Sequence, residues 1–498
     1  MQARRNELEL KLIVPADFEM PPLEDRATGV LAASEEAPLR LSATYFDTPD
    51  LRLLEHGITL RYRTGDQDGP VWTLKLPSNG DSALRSELEF AGDPEQPPGE
   101  ARELLFAFLR DGALAPVAEL KSRRRRWSLA GEGGQKLAEL VDDRVQVLDG
   151  KKIRDRFREI EIEAESIDRK GLQRIANRMR KAGAKPEQRS KASRALEALH
   201  KLKPEITEPV YPDDPATAAV RPALVAALRR LLSFDPHARL GEPEGVHQLR
   251  VSARRLRSVL RTFAPILHAE KTGPVIEDLR WLGQVLGDVR DLDVLDERLR
   301  SEADPEEVAP IFEALAARRE VAAGVLTTAL CSPGYLDFIE RVMQLTADDT
   351  LTVESPGACQ EVLPSLVERM WKKLRKAGRA LDLESPEAGF HRARILAKRA
   401  RYSAEVIAGF LKPKAKRELE DFAEGAEAVQ TILGGHQDAA FARTTLLQIA
   451  AGHPGDKQLN ASVRALVERQ EQDAKAKREE FFEEWPKLDR KKNTKWVR

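Results

Sequence analysis

Glu7-Leu8-Glu9-Leu10-Lys11 decides how the first half of the chain is read. Leu8 and Leu10 alternate with Glu7, Glu9 and Lys11. Successive side chains of a strand point to opposite faces, so two acids and a base share one side. Solubility alone would mix such charges loosely. Arg61-Tyr62-Arg63, Lys75, Arg85-Ser86-Glu87-Leu88-Glu89, Lys121-Ser122-Arg123-Arg124-Arg125 and Glu159-Ile160-Glu161-Ile162-Glu163 repeat the habit. Strands of this kind closed into a barrel would carry a charged lumen. Its carboxylates would hold hard divalent cations, and its Lys and Arg a polyanion. Cross-strand ion pairs on an exposed sheet explain any single Glu-x-Glu. Several strands sharing the habit, with apolar residues opposite, favour the lumen.

Parity then sorts the residues. Arg61, Arg63, Lys75, Arg85, Lys121, Arg123 and Arg125 are expected to face inward and take phosphate oxygens. Glu7, Glu9, Glu87, Glu89, Glu159, Glu161 and Glu163 are expected on the same side, where carboxylates can bind Mg²⁺ or Mn²⁺. Only one of Asp142 and Asp143 can point in, and parity with Glu139 selects Asp143. Arg124 and Arg126, of the opposite parity, are expected outside.

The chain of 498 residues is too long for one ordinary core, so two or three domains are expected. Its 81 Lys and Arg nearly balance 82 Asp and Glu, so net charge points to neither nucleic acid nor a membrane; the clustering of charge carries the information. Two cysteines, Cys331 and Cys359, argue against a disulfide framework or a cysteine zinc site. Residues 1–6 are polar with no leader pattern, and Val321–Leu336 is broken by Thr, Ser, Pro and Gly. A soluble cytoplasmic protein is expected.

Residues 1–203 read mainly as strands, among them Lys136–Asp142 and Val145–Leu148, with helices near Gly99–Asp111, Lys170–Ala182 and Ser190–Lys201. Residues 204–216 form a linker containing Pro204, Pro209, Pro212 and Pro215. Residues 217–485 are helical by pattern, and 486–498 form a basic tail. The expected architecture is a multidomain α+β chain: an eight-stranded antiparallel β tunnel with flanking helices, then an all-α duplicated bundle.

The duplication is visible directly. His247-Gln248-Leu249-Arg250-Val251-Ser252-Ala253-Arg254-Arg255-Leu256-Arg257 matches His391-Arg392-Ala393-Arg394-Ile395-Leu396-Ala397-Lys398-Arg399-Ala400-Arg401. Leu286-Gly287-Asp288-Val289-Arg290-Asp291 matches Leu433-Gly434-Gly435-His436-Gln437-Asp438, and Arg229-Arg230 matches Lys372-Lys373. The copies span about 217–346 and 359–480. On a helix, positions i, i+3, i+7 and i+10 share a face. That face carries His247, Arg250, Arg254 and Arg257 in one copy, and His391, Arg394, Lys398 and Arg401 in the other. One such stripe reads as a solvated basic face, but two His-led stripes favour an anion site, joined by Arg229, Arg230, Arg255, Arg290, Lys372, Lys373 and Arg399. Aromatics are only 5% of residues, which disfavours base stacking and nucleic acid and favours a linear phosphate without bases.

These residues carry a resemblance. Glu7-x-Glu9-x-Lys11, Tyr45-Phe46-Asp47-Thr48-Pro49, Arg61-x-Arg63, Trp72-Thr73-Leu74-Lys75-Leu76-Pro77, Arg85-x-Glu87 and Glu159-x-Glu161-x-Glu163 resemble the CYTH domain of the triphosphate tunnel metalloenzymes. Ser190-Lys191 is similar to that family's Ser-Lys pair on a late helix. The helical half resembles the CHAD domain, and the CYTH–CHAD pairing is a known architecture. The resemblance implies catalysis at Glu7, Glu9 and Lys11, with Mg²⁺ or Mn²⁺ on Glu7, Glu9, Glu161 and Glu163, Glu159 also fitting the last strand's pair; parity adds Asp143 to the metal set. It implies phosphate contacts from Lys11, Arg61, Arg63, Lys75, Arg123 and Arg125, with Lys191 helping at the tunnel, and inorganic polyphosphate as the ligand of the helices. A metal-dependent inorganic triphosphatase tethered to polyphosphate, in the cytoplasm or at polyphosphate granules, is therefore expected. The alternatives are a non-catalytic polyphosphate-binding protein, a tunnel enzyme acting on a nucleotide or thiamine triphosphate, and nucleic-acid binding through the helical stripes.

Overall fold

The computed structural model describes residues 3–66, 69–77, 84–199, 209–303, 308–353 and 357–490, with side chains from residue 8 in the first strand and from residue 86 in the sixth. The chain separates into two compact units, Met1–Ile206 and Thr207–Arg498.

The first unit is built on strands β1 (Ala3–Val14), β2 (Ala32–Glu35), β3 (Leu39–Asp47), β4 (Thr59–Thr64), β5 (Val71–Pro77), β6 (Leu84–Phe90), β7 (Ala115–Ala130), β8 (Lys136–Asp149), β9 (Lys152–Ala164) and β10 (Lys185–Pro186). Helices α1 (Arg52–Glu55), α2 (Gly99–Leu104), α3 (Phe106–Leu109), α4 (Arg169–Lys181) and α5 (Lys191–Ala198) accompany them. Pairing is antiparallel and runs β1–β6–β5–β4–β3–β7–β8–β9 and back to β1. Strand β1 completes this circuit of eight strands by using Ala3–Leu8 on β6 and Glu9–Val14 on β9. Strands β2 and β10 are short additions on β7 and β1. The two segments read as Lys136–Asp142 and Val145–Leu148 are one strand, because Asp143 and Arg144 stay in register with Arg124 and Arg123.

Alternation gives the circuit two different faces. On one side Leu12, Trp127, Leu129, Leu140, Ile160 and Ile162 pack with Leu172, Ile175, Ala176 and Met179 of α4. That helix starts where the Asp168 carboxylate accepts the Gly171 N–H at 2.7 Å, capping an exposed backbone donor. On the opposite side Leu120, Val145, Val147 and Phe157 pack with Ala192, Ala195 and Leu196 of α5. These four strand residues share the parity of Arg124, Asp143 and Glu159, so α5 lies on the charged, inward side. The Ser190 hydroxyl caps α5 by accepting the Ser193 N–H at 3.1 Å, which sets Lys191 at the first position of the helix.

The second unit contains α6 (Val220–Arg239), α7 (Pro243–Phe263), α8 (Ala269–Glu302), α9 (Ala309–Leu330), α10 (Pro333–Ala347), α11 (Cys359–Arg379), α12 (Glu387–Ala408), α13 (Pro413–Gly452) and α14 (Lys457–Leu488). Helices α6 to α9 and α11 to α14 follow the two sequence repeats in order. Within each copy consecutive helices pack on one another, α6 on α7, α7 on α8 and α8 on α9, then α11 on α12, α12 on α13 and α13 on α14, and α7 packs on α12 between the copies. A buried hydroxyl pair, Thr262 and Ser403 at 2.7 Å, joins those two helices. Leu295, Leu299, Ile311 and Phe312 share a second core with Leu446, Ile449, Leu459 and Val463, which ties α8 and α9 to α13 and α14. No described helix is long and apolar enough to cross a membrane. Residues 204–208 of the expected linker and 491–498 of the expected tail lie outside the described residues.

Candidate active site and helical anion site

Cross-strand register gathers the inward charges into a cavity of about 180 Å³ lined by Lys11, Arg61, Arg63, Lys75, Arg124, Arg126, Lys191 and the carboxylates Glu87, Glu89, Glu161 and Glu163, among others. Lys11 lies opposite Glu161 and Glu9 opposite Glu163 on β9; Glu159 lies opposite Asp143, which lies opposite Arg124. The last acidic strand thus points Glu159, Glu161 and Glu163 inward together. Gly65, with φ at +91°, ends β4; a Cβ there would stand 2.0 Å from the Arg40 carbonyl oxygen, so only glycine fits this turn beside Arg63.

Among the described residues, two sets of carboxylates can bring ligand oxygens within 4.8 Å of one another: Glu9, Glu161 and Glu163, and Asp143, Glu159 and Glu161. Glu161 belongs to both. The Lys191 ammonium sits against the second set, 2.7 Å from Glu159 and 2.9 Å from both Asp143 and Glu161. Lys11 lies 2.9 Å from Glu161 and 3.4 Å from Glu9. Arg124 grips Asp143 through two hydrogen bonds of 3.0 and 2.7 Å. Lys75 and Arg61 both approach Glu87, at 2.5 and 3.6 Å, while Arg63 pairs with Asp66 at 3.0 Å.

Burial opposes every one of these charges, and the partners decide the outcome. Burial pulls Lys11 and Lys191 down, but the surrounding carboxylates hold both above the ordinary lysine range. Burial pushes Glu161 up, yet Lys11, Lys191 and Arg124 hold it well below the usual carboxylate range. At Glu159 burial prevails and the pKa is raised. Arg63 is lowered to about 10 by burial and by Arg61 and Arg124. Three carboxylates are hard oxygen donors suited to Mg²⁺ or Mn²⁺, so both sets fit a divalent cation. An ammonium sits against each set, but Lys191 touches all three carboxylates of the second while Lys11 touches Glu9 and Glu161 of the first, which leaves Glu9, Glu161 and Glu163 as the better fit.

Of the site residues expected from sequence, Glu9, Lys11, Arg61, Arg63, Lys75, Asp143, Glu159, Glu161, Glu163 and Lys191 meet in this interior. Asp142 turns outward and is held by the buried Arg158 at 2.8 and 2.9 Å. Glu7 and Arg85 face each other in the backbone register, and their side chains lie outside the described residues. One expectation is corrected. Lys121, Arg123 and Arg125 do not face the cavity; Arg124 and Arg126 do. Arg125 instead pairs with Glu35 at 2.8 Å and stacks 4.7 Å from the Trp127 ring centre. Trp127 and Leu129 share the parity of Arg123 and Arg125, and burying them under α4 forces the even-numbered arginines inward. That apolar pair was the signal in the sequence; a run basic at both parities hid it. Tyr45, Asp66 and Ser190 also line the cavity and were missed as site residues.

In the helical unit the repeat motifs explain one another. Arg250 of α7 reaches Asp291 of α8 at 2.7 Å, and Arg394 of α12 reaches Asp438 of α13 at 3.8 Å. Each guanidinium passes over a glycine: a Cβ on Gly287 would stand 3.4 Å from Arg250 and one on Gly434 3.8 Å from Arg394, both ordinary van der Waals contacts. Around these pairs, burial and mutual repulsion push Arg254, Arg394 and His247 below their ordinary pKa values. Lys398 falls to about 6, through burial and through Arg394, Arg254 and Arg250. Arg257 and Arg399 are lowered as well, chiefly by burial.

Other members of the stripes are engaged by neighbouring side chains. Arg401 contacts Glu405 and Glu427, each at 2.7 Å, and Arg255 contacts Glu405 at 3.1 Å. His391 bonds Gln437 at 2.6 Å, Arg230 bonds Gln248 at 3.0 Å, and Lys372 pairs with Glu368 at 2.7 Å. Arg229 and Arg290 are half-buried. Lys373 lines a separate pocket with Arg261, Arg369 and Arg399.

The CYTH domain model matches residues 5–195 and the CHAD domain model residues 222–447. An uncharacterized protein of Mycobacterium tuberculosis is 32% identical over 524 aligned residues, which cover 98% of this chain and 97% of that one. The solved CHAD domain of the plant Ricinus communis is 22% identical, with a TM-score of 0.47, covering 56% of this chain and 94% of that one. A Hippeastrum adenylyl-cyclase candidate, described as having a dominant triphosphatase activity, is 17% identical with a TM-score of 0.25, covering 40% of this chain and 98% of that one. With one domain model on each unit and a relative matched almost end to end, this chain belongs to the CYTH–CHAD family.

Proposed function

We propose that the first unit is a metal-dependent inorganic triphosphatase acting on tripolyphosphate or short polyphosphate, and that the helical unit binds inorganic polyphosphate. The observation that carries the reading is that Glu161 and Glu163, which form a carboxylate set with Glu9, share one cavity with Arg61, Arg63, Lys75, Arg124 and Arg126. A pure anion binder would need the bases and not the clustered acids. At about 180 Å³ the cavity is smaller than the ~300–1,000 Å³ that usually enclose organic ligands, which favours a compact phosphate over a nucleotide or thiamine.

In this reading Arg61, Arg63, Lys75, Arg124 and Arg126 donate to non-bridging phosphate oxygens and orient the chain. Glu9, Glu161 and Glu163 hold Mg²⁺ or Mn²⁺, which when bound neutralises phosphate charge and lowers the pKa of attacking water. Water adds to phosphorus as the P–O–P bridge breaks, releasing phosphate and a chain shortened by one. Lys11, kept as an ammonium by Glu161 and Glu9, donates to the departing oxygen. Arg250, Arg254, Arg394 and Lys398 supply the helical polyphosphate site, where repulsion among them is relieved by an anion.

The test is phosphate release from tripolyphosphate, ATP and long-chain polyphosphate, with and without Mg²⁺ or Mn²⁺, for wild type and Glu9→Gln. Metal-dependent release from tripolyphosphate that Glu9→Gln loses by ~10²-fold or more supports the reading. Intact tripolyphosphate under every condition sinks it.

A further inference from the structure

The correction to β7 leaves a set of basic side chains on the outer face of the circuit. Arg40 of β3 lies opposite Arg123 of β7, and Arg123 lies opposite Arg144 of β8. Residues directly paired across a sheet point to the same side, so these three arginines form one cross-strand row. Two residues along the strands, Lys121 lies opposite Gln146, and Gln146 opposite Arg156 of β9, in a second row on the same face. This face is opposite the cavity, because Arg124 and Asp143 hold the other parity. Arg40, Lys121, Arg123, Arg144 and Arg156 are all exposed.

The fold neutralises outward arginines elsewhere on this face. Arg158, next in line beyond Arg144, is held by Asp142, and Arg125 by Glu35. The five exposed cations, by contrast, carry no ion pair among the described residues. Strands in a sheet stand ~4.8 Å apart and alternate residues ~6.8 Å apart, so five positive charges on four neighbouring strands fall within a patch roughly 14 by 7 Å. Like charges placed opposite one another destabilise a sheet, and an anion laid along the rows removes that cost. Trp127, the aromatic residue of β7, is buried and offers no stacking platform for a base.

We propose that this outer face binds a linear condensed phosphate, at a site separate from the cavity. The ligand class rests on the reading that the protein handles polyphosphate; the existence of a site rests on the unpaired rows alone. The outer arginines lengthen the track that a long chain contacts, while a tripolyphosphate held in the cavity does not reach them.

The experiment uses the full-length chain with Arg254→Ala and Lys398→Ala in every sample, to weaken the helical site. Binding of long-chain polyphosphate is measured against salt concentration, with and without Arg40→Ala, Arg144→Ala and Arg156→Ala. Each lost phosphate contact flattens the plot of log affinity against log salt by ~0.7, so the triple variant should flatten it by about 2. Arg→Lys at the same three positions should restore the slope, and the melting temperature of the alanine variant should not fall. An unchanged slope overturns the proposal, as does a fall in melting temperature that accompanies the weakened binding. Equal competition by duplex RNA and polyphosphate overturns the choice of ligand. Tripolyphosphate hydrolysis in the same preparations should be unaffected by the triple variant; its absence in wild type as well would count against the cavity reading and not against the outer site.

Discussion

Lys398 makes the helical site sensitive to pH. It lies on α12 beside Arg394, and its ordinary value of 10.5 falls to about 6 because burial and three arginines disfavour its ammonium form. At pH 7 only about one lysine in ten would then be protonated in the free domain. A phosphate chain supplies the missing negative charge and returns the ammonium toward its ordinary range. Binding near pH 7 should therefore take up close to ~0.9 proton. Affinity should fall by up to ~10-fold for each pH unit above about 6, until the bound-state pKa is reached. Titration calorimetry in two buffers of different ionisation enthalpy reads the proton uptake directly. Lys398→Arg keeps its charge, so it should bind with no uptake and a flat profile over this range. Stability of the free domain moves the other way. The unfolded chain holds a proton that the folded one lacks between about pH 6 and 10.5, so this residue's contribution to stability rises with pH across that window. Its penalty is complete below about pH 6. His247, lowered by burial and by Arg290, adds a contribution of the same sign beneath its ordinary 6.5. Wild-type binding with no proton uptake and no pH dependence would refute the reasoning.

Two further outcomes follow from the register and from the β4 turn. Arg124→Ala should reduce tripolyphosphate turnover by at least ~10-fold, the scale of a lost charge-assisted contact, while Arg125→Ala leaves turnover unchanged; the reverse pattern would show that the inward parity is wrong. Gly65→Ala should destabilise the first unit by ~1–3 kcal/mol or more, because both the φ of +91° and the 2.0 Å approach to the Arg40 carbonyl oppose a side chain; thermal unfolding checks this, and an unchanged melting temperature would contradict it.

Much of the architecture was legible because its signals are periodic. Glu7, Glu9 and Lys11 alternate with leucines, and Glu159, Glu161 and Glu163 with isoleucines, so each strand declares its charged face without reference to any neighbour. The helical duplication was equally open, since His247 and Arg250 recur as His391 and Arg394, with Gly287 and Asp291 answered by Gly434 and Asp438. Why arginine, glycine and aspartate recur together was not legible: the guanidinium of one helix passes over the glycine of the next to reach the acid, a contact 41 residues away in the chain.

The sequence by itself determined which strands are charged on one face and that the helical unit is doubled, because both are local repeats of side-chain type. Tertiary structure alone decided three things. It chose the inward arginines of β7, where Ser122 is the only uncharged residue from Lys121 to Arg126 and parity had to be set by Trp127 and Leu129 packing on α4. It divided the stripe cations into those consumed by Glu405 and Glu427 and those left around Arg394 and Lys398, since the consuming acids come from later helical turns and another helix. It also drew Arg40, Arg144 and Arg156 from three strands into one face, because hydrogen-bond register adds side chains together across distances that no window of sequence spans.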